Sequence, residues 1–285
     1  MEHNRNTAKE CTKAFCRQMN KKALELGMER STFNDPAGIF NCATPKDILS
    51  CLLKVCDTPI LCDLWQNENY TVKVEGANAR EIPINSVTFV GPGSADLRDH
   101  YKLLGGKGGT LNRPGIYNTA VVVEGRTPGE KLACVVMGAE APGDQPGNRF
   151  AAAKSALDAA LGRAAADAHI CADSALVCVV PKDKGQQATI LYEKAPNKVN
   201  MPASMSKMLT ALVVLDFLPA LDTKITVTQE DVALVAPGFY QEDFKDGDVV
   251  SVKDLLAAML LPSSNVAAHI LGRYVGQVLL WEQAR

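Results

Sequence analysis

Two apolar runs, 117–124 and 131–138, are parted only by Gly125-Arg126-Thr127-Pro128-Gly129. Short runs divided by a Gly/Pro turn read as the two strands of a hairpin, so this part of the chain must pair antiparallel. A second hairpin is expected from 174–180 and 187–193 around 182–185, and a third from 71–74 and 82–90 around Gly76-Ala77-Asn78. Helical spacing predicts helices over 11–27, with Gly27 as C-cap, from Thr44-Pro45 onward, over about 148–166, after Pro202, over 252–260, and from Ser264 to Gly276. This order lacks the strict strand–helix alternation of a parallel sheet. It predicts an α+β fold, with an antiparallel sheet faced by helices and a mainly helical lobe.

Composition narrows the function classes. The chain has 285 residues, 47% of them hydrophobic and 22% charged, enough for a sizeable core. A net charge of −2 and the lack of any basic tract argue against a nucleic-acid partner. No apolar run reaches the roughly 18 residues needed to cross a bilayer. The opening Met-Glu-His-Asn-Arg-Asn lacks the apolar core of a signal peptide. The nine cysteines contain no Cys-x-x-Cys or zinc spacing, and the four histidines form no ligand pair. We therefore expect mostly reduced core cysteines, no metal and no cofactor.

Three stretches carry polar groups with chemical potential. Ser204 and Lys207 stand one helical turn apart behind Pro202 and share a helix face. A helix N-terminus favours a developing oxyanion, and a serine needs a base to become a nucleophile. A lysine serves as that base once burial or nearby positive charge makes its neutral form accessible. The competing reading is a simple cap at Ser204 with a solvated Lys207. Ser263-Ser264-Asn265 lies between two apolar helices, where a serine can relay a proton and an asparagine can hold an amide. Gly105-Gly106-Lys107-Gly108-Gly109-Thr110 precedes the strand at Tyr117. Its glycines allow another chain to approach closely. It is not a phosphate-binding loop, which needs Gly-Lys-Ser/Thr followed by a helix.

Together, Ser-x-x-Lys, Ser-x-Asn and Lys-x-Gly resemble the signature of penicillin-binding proteins and serine β-lactamases. The flanks Pro202-Ala203-Ser204-x-x-Lys207-Met208-x-Thr210-Ala211-Leu212, Ser31-x-Phe33-x-x-Pro36-x-Gly38 and Tyr101-Lys102-Leu103-Leu104-Gly105-Gly106-Lys107 look like those of the D-alanyl-D-alanine carboxypeptidases. The resemblance implies a five-stranded antiparallel sheet flanked by helices. It implies a single catalytic domain over 1–285, with a helical lobe mainly from 1–65 and 226–285 and a sheet lobe mainly from 100–225. Ser204, Lys207 and Ser263 would be catalytic, and Asn265, Lys107, Gly108, Gly109 and Thr110 would bind substrate. The backbone N–H groups of Ser204 and Thr110 would form the oxyanion hole. The implied partners are peptidoglycan peptides ending in D-Ala-D-Ala and β-lactam antibiotics, in the cell envelope outside the cytoplasm.

Two departures stand out. The family order is Ser-x-x-Lys, Ser-x-Asn, Lys-Thr-Gly, whereas here Lys107-Gly-Gly109 comes first. Placing residues 1 to about 166 behind residue 285 restores the family order, so the chain reads as a circular permutant joined near 160–174. Gly108 stands where the family has threonine or serine. Losing one hydrogen bond to a charged group costs about 1.5–3 kcal/mol, which points to a weaker enzyme or an altered substrate. Restoring the hydroxyl by Gly108→Thr is expected to speed acylation. A weakly reactive penicillin-recognising module, and an esterase or acyl transferase of the same fold, are the alternatives.

Overall fold

The structure, a computed structural model, describes residues 7–111, 116–139, 148–164, 170–183, 185–235 and 244–284. Its elements begin with α1 (Ala8–Glu25), α2 (Pro45–Cys56), α3 (Pro59–Trp65), β1 (Asn69–Glu75) and β2 (Arg80–Asn85). Then come α4 (Val87–Val90), α5 (Ser94–His100), β3 (Leu103–Leu111), β4 (Ile116–Glu124) and β5 (Lys131–Ala139). After α6 (Asn148–Ala160) follow β6 (Ala172–Val179), β7 (Thr189–Lys194), a 3-10 turn over Ala203–Ser206 and α7 (Lys207–Phe217). The last are β8 (Lys224–Thr226), α8 (Gln229–Ala233), β9 (Val249–Ser251), α9 (Val252–Leu260) and α10 (Asn265–Gln283).

Five strands form one antiparallel sheet in the order β3-β4-β5-β6-β7. Its central strands are apolar on both faces. Ala120, Val122, Ala133, Val135, Met137, Leu176 and Cys178 face the larger core, which is filled by α1, α2, α7, α9 and α10. Val121, Val123, Leu132, Cys134, Val136, Ala175 and Val177 face a second core with Phe150, Ala153 and Leu157 of α6. Each strand still alternates, but both alternating sets are apolar because both faces are covered. That is why 117–124 and 131–138 look like unbroken apolar runs.

Helix starts follow local chemistry. Thr7 caps α1, its Oγ1 accepting from Glu10 N at 3.3 Å while Glu10 Oε2 accepts from Thr7 N at 2.8 Å. Thr44 caps α2, with Pro45 in its first turn.

The third hairpin is shorter than expected: β2 ends at Asn85, and Val87–Val90 turn helically as α4. That hairpin belongs to a second sheet, β2-β1-β9-β8, completed by strands of three residues that carry no sequence period. Helix α10 does not stop at Gly276. Gly276 instead permits a close crossing, since a Cβ there would collide with the Cys11 carbonyl of α1. One turn back, Gly272 faces Phe15, so α1 and α10 pack antiparallel. Cys51, Cys134 and Cys178, set among apolar residues in the sequence, are buried, whereas Cys56 in a like setting is half-buried; Cys11 and Cys16 are buried too, burial raises the Cys16 and Cys51 thiols to about 12, and Cys171 is exposed. Among the described residues, no helix is long and apolar enough to cross a membrane.

Candidate active site

Ser204 sits in the 3-10 turn that leads directly into α7, rather than in the α-helix itself. Three connections hold this turn. Asn118 of β4 donates through Nδ2 to the Met201 carbonyl at 2.8 Å, tying the approach to the sheet. Gly109 of β3 lies against it so closely that a Cβ would come 2.5 Å from the Pro202 carbonyl oxygen and 3.3 Å from Met205 N. Loop 35–39 presses from the other side, where Gly38, at φ +106, leaves no room for a side chain against Ala203. Thr210 of α7 fastens the loop by donating to the Pro36 carbonyl at 2.7 Å.

Lys207 is fully buried and stands at the centre of a polar cluster. Its Nζ lies 2.8 Å from Ser204 Oγ, 2.7 Å from Asn265 Oδ1, 3.0 Å from the Ala37 carbonyl and 3.5 Å from Ser263 Oγ. Burial lowers its proton affinity, and the charge of Asp35 partly restores it, leaving the pKa at about 7. A large fraction of Lys207 is therefore neutral near neutrality and can accept a proton from the serine 2.8 Å away. Capping explains part of this region but not the cluster. Ser264, not Ser263, caps α10 by accepting from Ala267 N at 3.1 Å. Ser263 is left half-exposed at φ 78, facing Lys207. Ala203 beside the serine is also in the left-handed region, at φ 51. Such strain in non-glycine residues costs about 1–3 kcal/mol each and gathers at functional sites.

The structure thus brings together Ser204, Lys207, Ser263 and Asn265, with Gly109 against the serine turn. Lys107, which the resemblance makes a substrate-binding residue, is not a solvated cation. It is fully buried, its Nζ donates to the Gly108 carbonyl at 3.0 Å, and burial, Lys207 and Arg149 push its pKa well below the ordinary lysine value. Thr110, two residues beyond Gly108, shares that residue's side of β3.

A model of a known family matches residues 162–277. The family is D-alanyl-D-alanine carboxypeptidase. The carboxypeptidase match spans Ser204-x-x-Lys207 and Ser263-x-Asn265, while Lys107-Gly-Gly109 lies outside it. It thereby supports a peptidase, a hydrolase, in the α+β fold expected for the carboxypeptidases. No curated protein and no solved structure matched the chain.

Sequence reasoning missed Arg149. Its guanidinium occupies the space beside Gly108, where an added Cβ would come 3.0 Å from Nη1. Nη1 lies 3.3 Å from the Gly109 carbonyl and 3.4 Å from that of Asn118, and the group lies over the Tyr117 and Phe150 rings at 5.7 and 5.9 Å. Burial lowers its pKa to about 10, so it stays charged at neutral pH. The only sequence hint was an arginine opening an alanine-rich helix.

Proposed function

We propose that the chain is a serine D-Ala-D-Ala carboxypeptidase that cleaves peptidoglycan stem peptides through an acyl-enzyme on Ser204, and that penicillins acylate the same oxygen. The observation that carries this reading is Lys207: buried, with Nζ in reach of Ser204 Oγ and Asn265 Oδ1 at 2.8 and 2.7 Å. Neutral Lys207 accepts the Ser204 proton as the Oγ–carbon bond forms. Ser263 passes a proton to the leaving D-alanine amine, and Asn265 orients the substrate amide. The backbone N–H groups of Ser204 and Thr110 stabilise the oxyanion. Lys107 and Arg149 receive the terminal carboxylate, whose arrival favours the charged form of Lys107. Water then hydrolyses the ester and frees the serine.

The family match supports the extracytoplasmic envelope as the site of action, because the substrate lies there. We also read the segment order as a circular permutation within one domain. The antiparallel packing of α1 on α10 supports this, because a short connection could join two such helices.

Incubation with benzylpenicillin, intact-mass measurement and peptide mapping test the reading. The expected result is one adduct on Ser204, absent in Ser204→Ala. A folded wild-type protein without the adduct would favour the second reading, a weakly reactive penicillin-recognising module. The observation on that side is Arg149, which fills the place of the missing threonine side chain.

A further inference from the structure

Behind Lys207 lies a second buried ionisable pair that the scheme above does not use. Asp35 opens the loop that grips the serine turn. Its Oδ1 accepts backbone N–H groups from Ala37 at 2.8 Å, Gly38 at 2.6 Å and Ile39 at 3.2 Å. This fixes the direction of the Ala37 carbonyl, which accepts from Lys207 Nζ. The other oxygen, Oδ2, faces His269 Nε2 at 3.6 Å, with both side chains nearly closed to solvent at 11% and 4% exposure. That gap is too long for a hydrogen bond. Among the described residues, neither ring nitrogen of His269 has a hydrogen-bond partner.

His269 stands one turn beyond Asn265 on α10, so the pair bridges the two elements that deliver acceptors to Lys207. Four elements place titratable groups around it: Cys16 on α1, Lys207 on α7, Asp231 on α8 and Arg273 on α10, the last bonded to Asp231 at 2.6 Å. Burial, aided by Lys207 and opposed by the charges of Asp35 and Asp231, holds the imidazole below its ordinary pKa and favours its neutral form. Among the described residues, Lys207 is the lysine whose charged form the carboxylate of Asp35 favours.

We propose that Asp35, buried against His269 and gripping loop 35–39, is the positioning residue and buried counter-charge of Lys207. This rests on the serine-enzyme reading given above. When Ser204 attacks, its O–H bond breaks and the proton passes to the lone pair of Lys207. Asp35 and His269 exchange no proton. The carboxylate stabilises the ammonium that forms, while its grip on loop 35–39 keeps the Ala37 carbonyl directed at it.

The test is the rate of Ser204 acylation by benzylpenicillin as a function of pH. The wild type is expected to rise with pH through one inflection near 7, as Lys207 loses its proton. Asp35→Asn keeps an oxygen for the three N–H groups and removes the charge. Its inflection is expected to fall by about one pH unit, with the plateau rate at least about tenfold lower. His269→Arg places a persistently charged guanidinium against Asp35 and is expected to move the inflection the same way. It serves as the second variant if Asp35→Asn fails to fold. An unmoved inflection in either folded variant overturns the proposal, because a purely structural role would change rates without moving it. Absence of any Ser204 adduct in folded wild type would instead overturn the serine-enzyme reading.

Discussion

Gly108 leaves room on β3 for the Arg149 guanidinium, and this changes what the missing threonine means. Burial and its cationic neighbours push the pKa of Lys107, one residue earlier, well below the ordinary lysine value and disfavour its charged form. Arg149 keeps its charge and is the more persistent attraction for a carboxylate. Replacing Arg149 with alanine is expected to slow acylation by carboxylate-bearing β-lactams by about tenfold to a hundredfold, the range of one charged hydrogen bond. Substrates whose carboxylate is esterified should lose far less, and the ratio of the two rates is the measurement. Gly108→Thr, attractive from sequence alone, pushes a branched side chain at Nη1 and is now expected to slow acylation. At this scale the sequence was informative where chemistry imposes short spacing. Ser204 with Lys207 and Ser263 with Asn265 are local pairs whose side chains meet across a turn. Arg149 and the Asp35–His269 pair were invisible because their partners lie far along the chain, and no spacing records them.

Helix boundaries carry the site's polar groups, and the two serines before α10 divide the labour. Ser264 closes the first turn of the helix, while Ser263 is held at φ 78 and faces the lysine. Ser264→Ala should therefore lower stability by about 1 kcal/mol through loss of the cap. Ser263→Gly should raise stability by about 1 kcal/mol by relieving the left-handed conformation, and should sharply reduce turnover. Urea unfolding of both variants, paired with acylation assays, checks the opposite signs. Elements with strong local signals were legible: α2 from Thr44-Pro45, α9 up to Pro262, and the β4–β5 hairpin from its glycines and proline. Strands β8 and β9, three residues each, were not, because they exist only by pairing with each other and with β1. Gly276 misled as a stop signal because its role is contact with α1, a tertiary demand that overrides propensity.

Across the whole molecule, the site draws on distant stretches of chain. Asp35 to Gly38 and Lys107 to Gly109 come from one segment, and Ser204 to Lys207 and Ser263 to Asn265 from the other, around one continuous core. If 1–285 is a single domain, acylation competence and far-UV circular dichroism should be lost in one coincident guanidinium transition. Earlier loss of acylation would mean that the segments separate before they unfold. The sheet was readable at this scale because its neighbouring strands follow one another along the chain, whereas the meeting of its β3 edge with the serine turn, held from the other side by loop 35–39, was not. That edge has a consequence for motion. β5 is paired on both sides and covered on both faces, so its amide hydrogens should exchange with solvent only when the entire protein opens. β3, carrying Lys107 to Gly109, has a strand partner on one side only and should exchange through smaller, more frequent openings. Lys107 to Gly109 thus lie on an edge strand, better able than the central strands of this sheet to shift without disturbing the rest.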